Sequence, residues 1–345
     1  MKEIRIISWG LGAMGSGIAA AINNKQGIRI VGAIDQDPDK IGQDLGTVLN
    51  CSPLQVKVES DFTFSEKEAD LVILATSSFT KEVFPLIKRI IAAKINVITI
   101  AEEMAYPQAQ SPQLAAQIDQ LAREQGVSVL GTGINPGFIL DTLILALSGA
   151  CLEVKKIEAE RVNDLSPFGP TVMRTQGVGT TPAEFKAGLE QGRIVGHIGF
   201  SESIKMIADR LGLELDEIKE SREPIVSNTY RETPHVKVEP GMVAGCRHIA
   251  RGISKGEEVI VLEHPQQIHP QLEDVETGDY IRIKGTPDLN LAIQPETPGG
   301  IGTMAVALNM IPPVIKAEAG LLSMKDLPVP SAILGDFRQL IANQY

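Results

Sequence analysis

Two adjacent carboxylates, Glu102 and Glu103 in the run IAEEMAYP, follow a short apolar stretch and are the residues best suited to acid–base work. A carboxylate leaving a buried strand is desolvated, and a second one beside it opposes its ionisation. Both effects raise its pKa toward neutrality, where it can take up a proton and return it. Neighbouring residues of an extended chain point to opposite sides, so one of the two is expected to face a reacting group. The competing reading is a helix start decorated with acids that complement the helix dipole.

A second constellation lies near the N-terminus. Gly10, Gly12 and Gly15 fit G-x-G-x-x-G, with Leu11, Ala13 and Met14 between them. The first glycine permits a tight turn, the second lets backbone approach a pyrophosphate, and the third allows close packing of helix on strand. The anion then lies on the helix N-terminus. Asp35 closes the next apolar run, at the distance beyond Gly15 expected of a carboxylate that accepts from a ribose 2′-hydroxyl. That carboxylate favours NAD, because it repels a 2′-phosphate. Lys40 can reach such a phosphate, so NAD or NADP both fit, although a lysine there is equally a solvated residue. Ala75, Thr76, Ser77 and Ser78 follow another apolar run and offer small or hydroxyl groups to a ribose and nicotinamide, with Ser77 or Ser78 as a helix cap the plainer alternative. Asn135, in GTGINPGF, is a hydrogen-bonding side chain beside a Pro-Gly turn. His197, in GRIVGHIGFSES, is a substrate or loop contact or else a structural histidine.

The elements that must position these residues are legible as apolar runs separated by helical periodicity. IRIISW (4–9), IRIVGAID (28–35), DLVILAT (70–76), INVITIAEE (95–103) and VSVLGTG (127–133) read as strands, and FPLIKRIIAAK and SPQLAAQIDQLAREQG as helices between them. Strands apolar throughout and separated by helices imply a doubly wound parallel sheet of the Rossmann type covered on both faces, an α/β fold. Ligands of such a sheet bind beyond the carboxyl ends of its strands, where the runs ATSSF, IAEEMAYP and GTGINPGFILD fall. After residue 150 the pattern changes to alternation, in VKKIEAERVND, HVKVEPGMVAGCRHIARGI, EEVIVLEHPQQIHP and DYIRIKGTPDLNLAIQ. This predicts a second, α+β domain with a mixed or antiparallel sheet. The stretch 297–322 reads as a glycine turn followed by a helix. The expected domains are 1–135, 136–300 and a C-terminal helical segment, 301–345, packing back on the first.

Composition bounds the rest. The chain has 345 residues, 43% hydrophobic and 22% charged, and a formal net charge of −11. That balance argues against a surface that neutralises a phosphate backbone, so no nucleic-acid partner is expected. No run reaches the length of a membrane span, and the N-terminus reads as a strand rather than a signal peptide, so a cytoplasmic protein is expected. Three scattered cysteines and five histidines without ligand spacing predict neither disulfide nor metal.

Taken together, GLGAMGSGIAAAI, GAIDQDPDKIGQDLG, ITIAEEMAYP, GTGINPGFILD, GHIGFSES and GTMAVALNMIPPVIKAEAGLL resemble the 2,4-diaminopentanoate dehydrogenases and the native amine dehydrogenases similar to them. The resemblance spans nearly the whole chain. It implies a Rossmann domain joined to an α+β domain whose sheet supports a homodimer. It also implies NAD- or NADP-linked oxidative deamination of a small diamino acid or amine, in the first case a step of ornithine degradation. The catalytic glutamate falls on the Glu102–Glu103 pair, with Glu102 favoured. Asn135, Asn163, His197 and Thr303 or Asn309 would line the substrate pocket, and Arg161, Arg174 and Arg247 are arginines near pocket loops that could meet a carboxylate. A dihydrodipicolinate reductase would carry two adjacent histidines followed by a lysine, and a homoserine dehydrogenase a lysine near the hydride site; neither pattern is present. A non-catalytic NAD sensor is the alternative of another class.

Overall fold

Apolar runs without alternation become central strands because both faces of a parallel sheet are covered. In the computed structural model, which describes residues 2–342, Ile4–Trp9 (β1), Ile28–Ile34 (β2), Val58–Glu59 (β3), Leu71–Leu74 (β4), Asn96–Thr99 (β5) and Ser128–Gly131 (β6) form one parallel sheet, joined at its edge by Gly320–Leu322 (β15). The order β15-β6-β5-β4-β1-β2-β3 reverses direction between β1 and β4, so the topological switch point lies between the ends of those two strands. Helices Ala13–Asn23 (α1), Leu45–Val48 (α2), Thr80–Ala92 (α3) and Pro112–Gln125 (α4) provide the crossovers. Val83, Ile87, Ile90 and Ile91 of α3 and Ala115, Ile118 and Ala122 of α4 pack on Val72, Leu74, Val97 and Val129 of the sheet. Each such fully buried branched side chain contributes about 1.5–3 kcal/mol. This unit comprises 1–138 and 299–345.

Two local elements differ from the sequence expectation. The strand expected over 95–103 stops at Thr99, and Glu102–Ala105 form a single 3-10 turn, so the two glutamates do not lie on extended chain. The helix expected within 297–322 divides into Gly299–Asn309 (α9), Ile311–Lys316 (α10) and β15. Pro312 and Pro313 lack an N–H and are tolerated in the first turn of a new helix but not inside a continuing one. Gly320–Leu322 is extended because it pairs with Ser128–Leu130, a partner far away in sequence. Phe337–Ala342 (α11) closes the described chain.

The second unit, 139–298, contains a six-stranded sheet built from Glu153–Asp164 (β7), Glu217–Val226 (β8), Val243–Ser254 (β11), Glu257–Gln267 (β12), Gly278–Thr286 (β13) and Leu289–Ile293 (β14), in the order β14-β13-β7-β12-β11-β8. All neighbours are antiparallel except β7 and β12, which makes the sheet mixed. Arg231–Glu232 (β9) and Lys237–Val238 (β10) form a separate pair. Helices Thr142–Ser148 (α5), Pro170–Thr175 (α6), Pro182–Glu190 (α7) and Phe200–Leu211 (α8) complete the unit. The Thr-Pro start of α7 is a capping box, with Thr181 and Glu184 satisfying each other's backbone N–H. The observed architecture is the expected one, a Rossmann-type sheet followed by a second α+β unit with a mixed sheet. No described helix is long and apolar enough to cross a membrane, and no described cluster of His, Cys, Asp or Glu is arranged to hold a metal ion.

Candidate active site

The glycine turn sits at the switch point. Gly10 has φ +90°, and a Cβ there would stand 2.3 Å from the Ala75 carbonyl oxygen and 3.1 Å from the Thr76 methyl. A Cβ on Gly15 would lie 1.8 Å from the Gly10 carbonyl oxygen, so the start of α1 can rest on the turn only because Gly15 has none. Gly12 occupies the N-cap of α1 without a side-chain cap, and nothing lies within 4 Å of where its Cβ would be. Uncapped N–H groups facing open space suit an anion. Ala13 is exposed and Met14 half-buried beside them, while Leu11 is buried. Asp35 is tied into the same turn, its carboxylate accepting from Leu11 N–H at 2.5 Å and Asp37 N–H at 2.7 Å. Lys40 Nζ stands 3.1 Å from Asp37 and 3.8 Å from Asp35, so a cation and an anion share the position that would meet the 2′ substituent of a ribose. These residues fit a dinucleotide.

Across the switch point, the loop after β4 supplies three different contacts. Ala75 and Thr76 pack on Gly10, while Ser77 turns away, its hydroxyl donating to Glu82 in the first turn of α3. Ser78 hydrogen-bonds the Glu102 side chain. Glu102 is mostly buried in its turn, and burial raises its pKa; the Ser78 bond and a backbone N–H offset part of this, and the charge of Glu103 adds to it. Glu103 is engaged elsewhere, its Oε2 accepting from Thr80 N–H at 2.8 Å at the start of α3.

After β6, Asn135 has both its Oδ1 and Nδ2 buried with no hydrogen-bond partner among the described residues, an arrangement that burial penalises unless a ligand supplies one. Beside it, Thr303 Oγ1 accepts from Ile134 N–H at 3.2 Å, a contact that holds the loop. Asn309 is not part of this group: its Oδ1 accepts from Ile333 N–H at 3.2 Å, and it lines a separate cavity of about 580 Å³ with Pro312, Leu322 and Pro328.

In the second unit the structure brings together three histidines that the sequence leaves apart. His264 on β12 and His248 on β11 are cross-strand partners, and Asn163 on β7 accepts from His264 Nε2 at 3.0 Å. The His197 ring meets His264 at 4.9 Å and Phe200 at 4.7 Å edge-on. His248 Nδ1 accepts the His197 N–H at 3.0 Å, so its Nε2 carries the proton and donates to Glu220 at 3.2 Å. Burial, followed by the neighbouring His248 and Arg161, pushes His197 down to about 3, and burial also holds His264 well below the usual histidine range. These imidazoles are neutral at physiological pH. His197 Nε2 and His264 Nδ1 are buried without partners among the described residues. Of the three arginines, Arg161 is buried and paired with Asp279 at 2.5 Å, whereas Arg174 and Arg247 are exposed. Period-two alternation places His248 and His264 on buried strand faces, a signal present in the sequence; the approach of His197 is purely tertiary.

Comparison with known proteins identifies the family. Residues 138–343 match the family described as 2,4-diaminopentanoate dehydrogenase C-terminal domain, and residues 4–100 match the N-terminus of dihydrodipicolinate reductase. The chain is 49% identical to a 2,4-diaminopentanoate dehydrogenase of Acetoanaerobium sticklandii, covering 100% of this chain and 99% of that one. It is 25% identical to an amine dehydrogenase of Streptomyces virginiae, over 96% and 98% of the two chains. The structure of an amine dehydrogenase from Mycobacterium smegmatis superposes with a TM-score of 0.84 at 26% identity, covering 97% of this chain and 98% of that one. A glycine turn built for a dinucleotide, a strand-end carboxylate and full-length identity of this degree together make the chain an oxidoreductase of the 2,4-diaminopentanoate dehydrogenase family.

Proposed function

We propose that the protein catalyses the NAD- or NADP-linked oxidative deamination of 2,4-diaminopentanoate to 2-amino-4-oxopentanoate and ammonia, as a step in ornithine degradation. The observation that carries the mechanism is Glu102, a carboxyl raised by burial at the carboxyl end of β5 and held by Ser78. The relative from Acetoanaerobium sticklandii suggests the substrate. A bound nicotinamide nucleotide would be held by the Gly10–Gly15 turn and Asp35, and supplies the hydride acceptor. Asp35 favours NAD, and Lys40, already within reach of the same position, makes NADP acceptable.

Glu102 takes a proton from the substrate's C4 ammonium, which frees the nitrogen lone pair to assist loss of hydride from C4. Once Glu102 has passed that proton to solvent, it deprotonates the water that attacks the iminium, and it returns this second proton as the carbinolamine collapses to ketone and ammonia. The balance is one substrate ammonium, one oxidised nucleotide and one water converted to ketone, ammonium, reduced nucleotide and one proton released to solvent. Asn135, with two open hydrogen-bonding ends, is proposed to contact the substrate. A homodimer formed through the sheet of the second unit is the expected assembly.

Reduction of NAD and NADP by the purified protein is the test, with 2,4-diaminopentanoate set beside simple amines and ordinary amino acids. Turnover of the diamino acid is expected to exceed that of every other compound. Activity confined to simple amines would move the protein to the amine dehydrogenases, and no reduction with any amine would sink the deamination reading.

A further inference from the structure

Glu103 has no part in that mechanism, yet it is fixed at both ends. Its backbone N–H donates to the Ser78 carbonyl at 3.1 Å and its Oε2 accepts from Thr80 N–H at 2.8 Å. The N-cap of α3 is Phe79, which supplies no side-chain acceptor, so Glu103 satisfies an orphan donor of that helix from a different element and adds a negative charge at its positive end. Its two bonds fall on either side of Phe79 and bracket the segment whose Ser78 hydrogen-bonds Glu102. The same loop begins with Ala75, whose carbonyl packs on the Gly10 turn.

We propose that Glu103 is a positioning residue that locks the Glu102–Ala105 turn to the 75–80 loop, fixing Ser78 and through it the direction of the Glu102 carboxyl. This rests on Glu102 as the base. The two adjacent acids then divide the work, one reacting and one holding, and the loop that holds the base is the loop that lies on the nucleotide turn.

The test is a set of variants in the full-length protein. Glu103→Leu removes the acceptor and is expected to lower kcat by about 10- to 100-fold with the amine KM unchanged, the scale of a misplaced catalytic group. Glu103→Gln keeps an oxygen that can accept from Thr80 and is expected to restore most of that loss. Ser78→Ala should reproduce the Glu103→Leu defect, and the double variant should be no worse than either single one, because both act through the same contact. Wild-type kcat in Glu103→Leu, no rescue by Gln, or fully additive losses would each overturn the proposal. Should Glu103→Leu fail to fold, Glu103→Asp, whose shorter carboxylate cannot span the same distance, takes its place with the same expectations. Hydrogen exchange of segments 75–80 and 102–105 separates the two readings: full turnover by Glu102→Gln would remove the base, while faster exchange in both segments of the Glu103 variant would still report the lock, and unchanged exchange would refute it.

Discussion

The division between Glu102 and Glu103 follows from where each carboxylate finds its partners. The sequence places two acids after a strand, which makes the pair legible, but the bond that occupies Glu103 comes from Thr80, 23 residues away. Only the fold can tell them apart. Replacing Glu102 by Gln keeps the shape and removes the proposed base, so kcat is expected to fall by about 100-fold or more, the range of general acid–base catalysis. Stability should move the other way. Burial raises the Glu102 pKa above its ordinary 4.5, so the folded chain holds that proton more tightly than the unfolded chain. The associated stability is complete below the ordinary value and is lost as pH rises through the raised one. Melting curves of Glu102→Gln should therefore lie above wild type at alkaline pH and converge with it at acid pH. A variant that melts below wild type at every pH would show that the carboxylate is stabilising rather than strained.

Among the elements, the β1-turn-α1 segment is the one whose local sequence and tertiary role coincide. Its glycines, its apolar strand and the acid that follows the next strand were all readable in order, because each requirement is met within 35 residues. Gly15 is the most constrained of them, since a side chain there collides with the Gly10 carbonyl. Gly15→Ala is expected to cost about 1–3 kcal/mol of stability, the range for overpacking, and to weaken nucleotide binding, measured by titration with the reduced nucleotide. Unchanged stability and affinity would mean that α1 can shift without loss. Elements defined by distant partners were less legible. Gly320–Leu322 is a strand because β6 offers it an edge, and nothing in AEAGLL announces that. The break between α9 and α10 is marked in the sequence by Pro312 and Pro313, although good helix formers surround them.

For the whole molecule, the change from apolar runs to alternation marked two kinds of sheet, and the structure contains both. Less of the chemistry in the second unit was visible. Asn163, His197, His248 and His264 converge from three strands and a loop, and the neutral state of the imidazoles depends on their shared burial. A single residue read alone carries no such signal. The activity proposed for this scaffold is removal of hydride from an amine-bearing carbon. The most direct measurement uses 2,4-diaminopentanoate carrying deuterium at C4, with mass spectrometry of the recovered nucleotide and product. Transfer of the label to the nucleotide, together with an unlabelled 4-oxo product, is the predicted result. Label retained in the product, with the nucleotide unlabelled, would contradict the account.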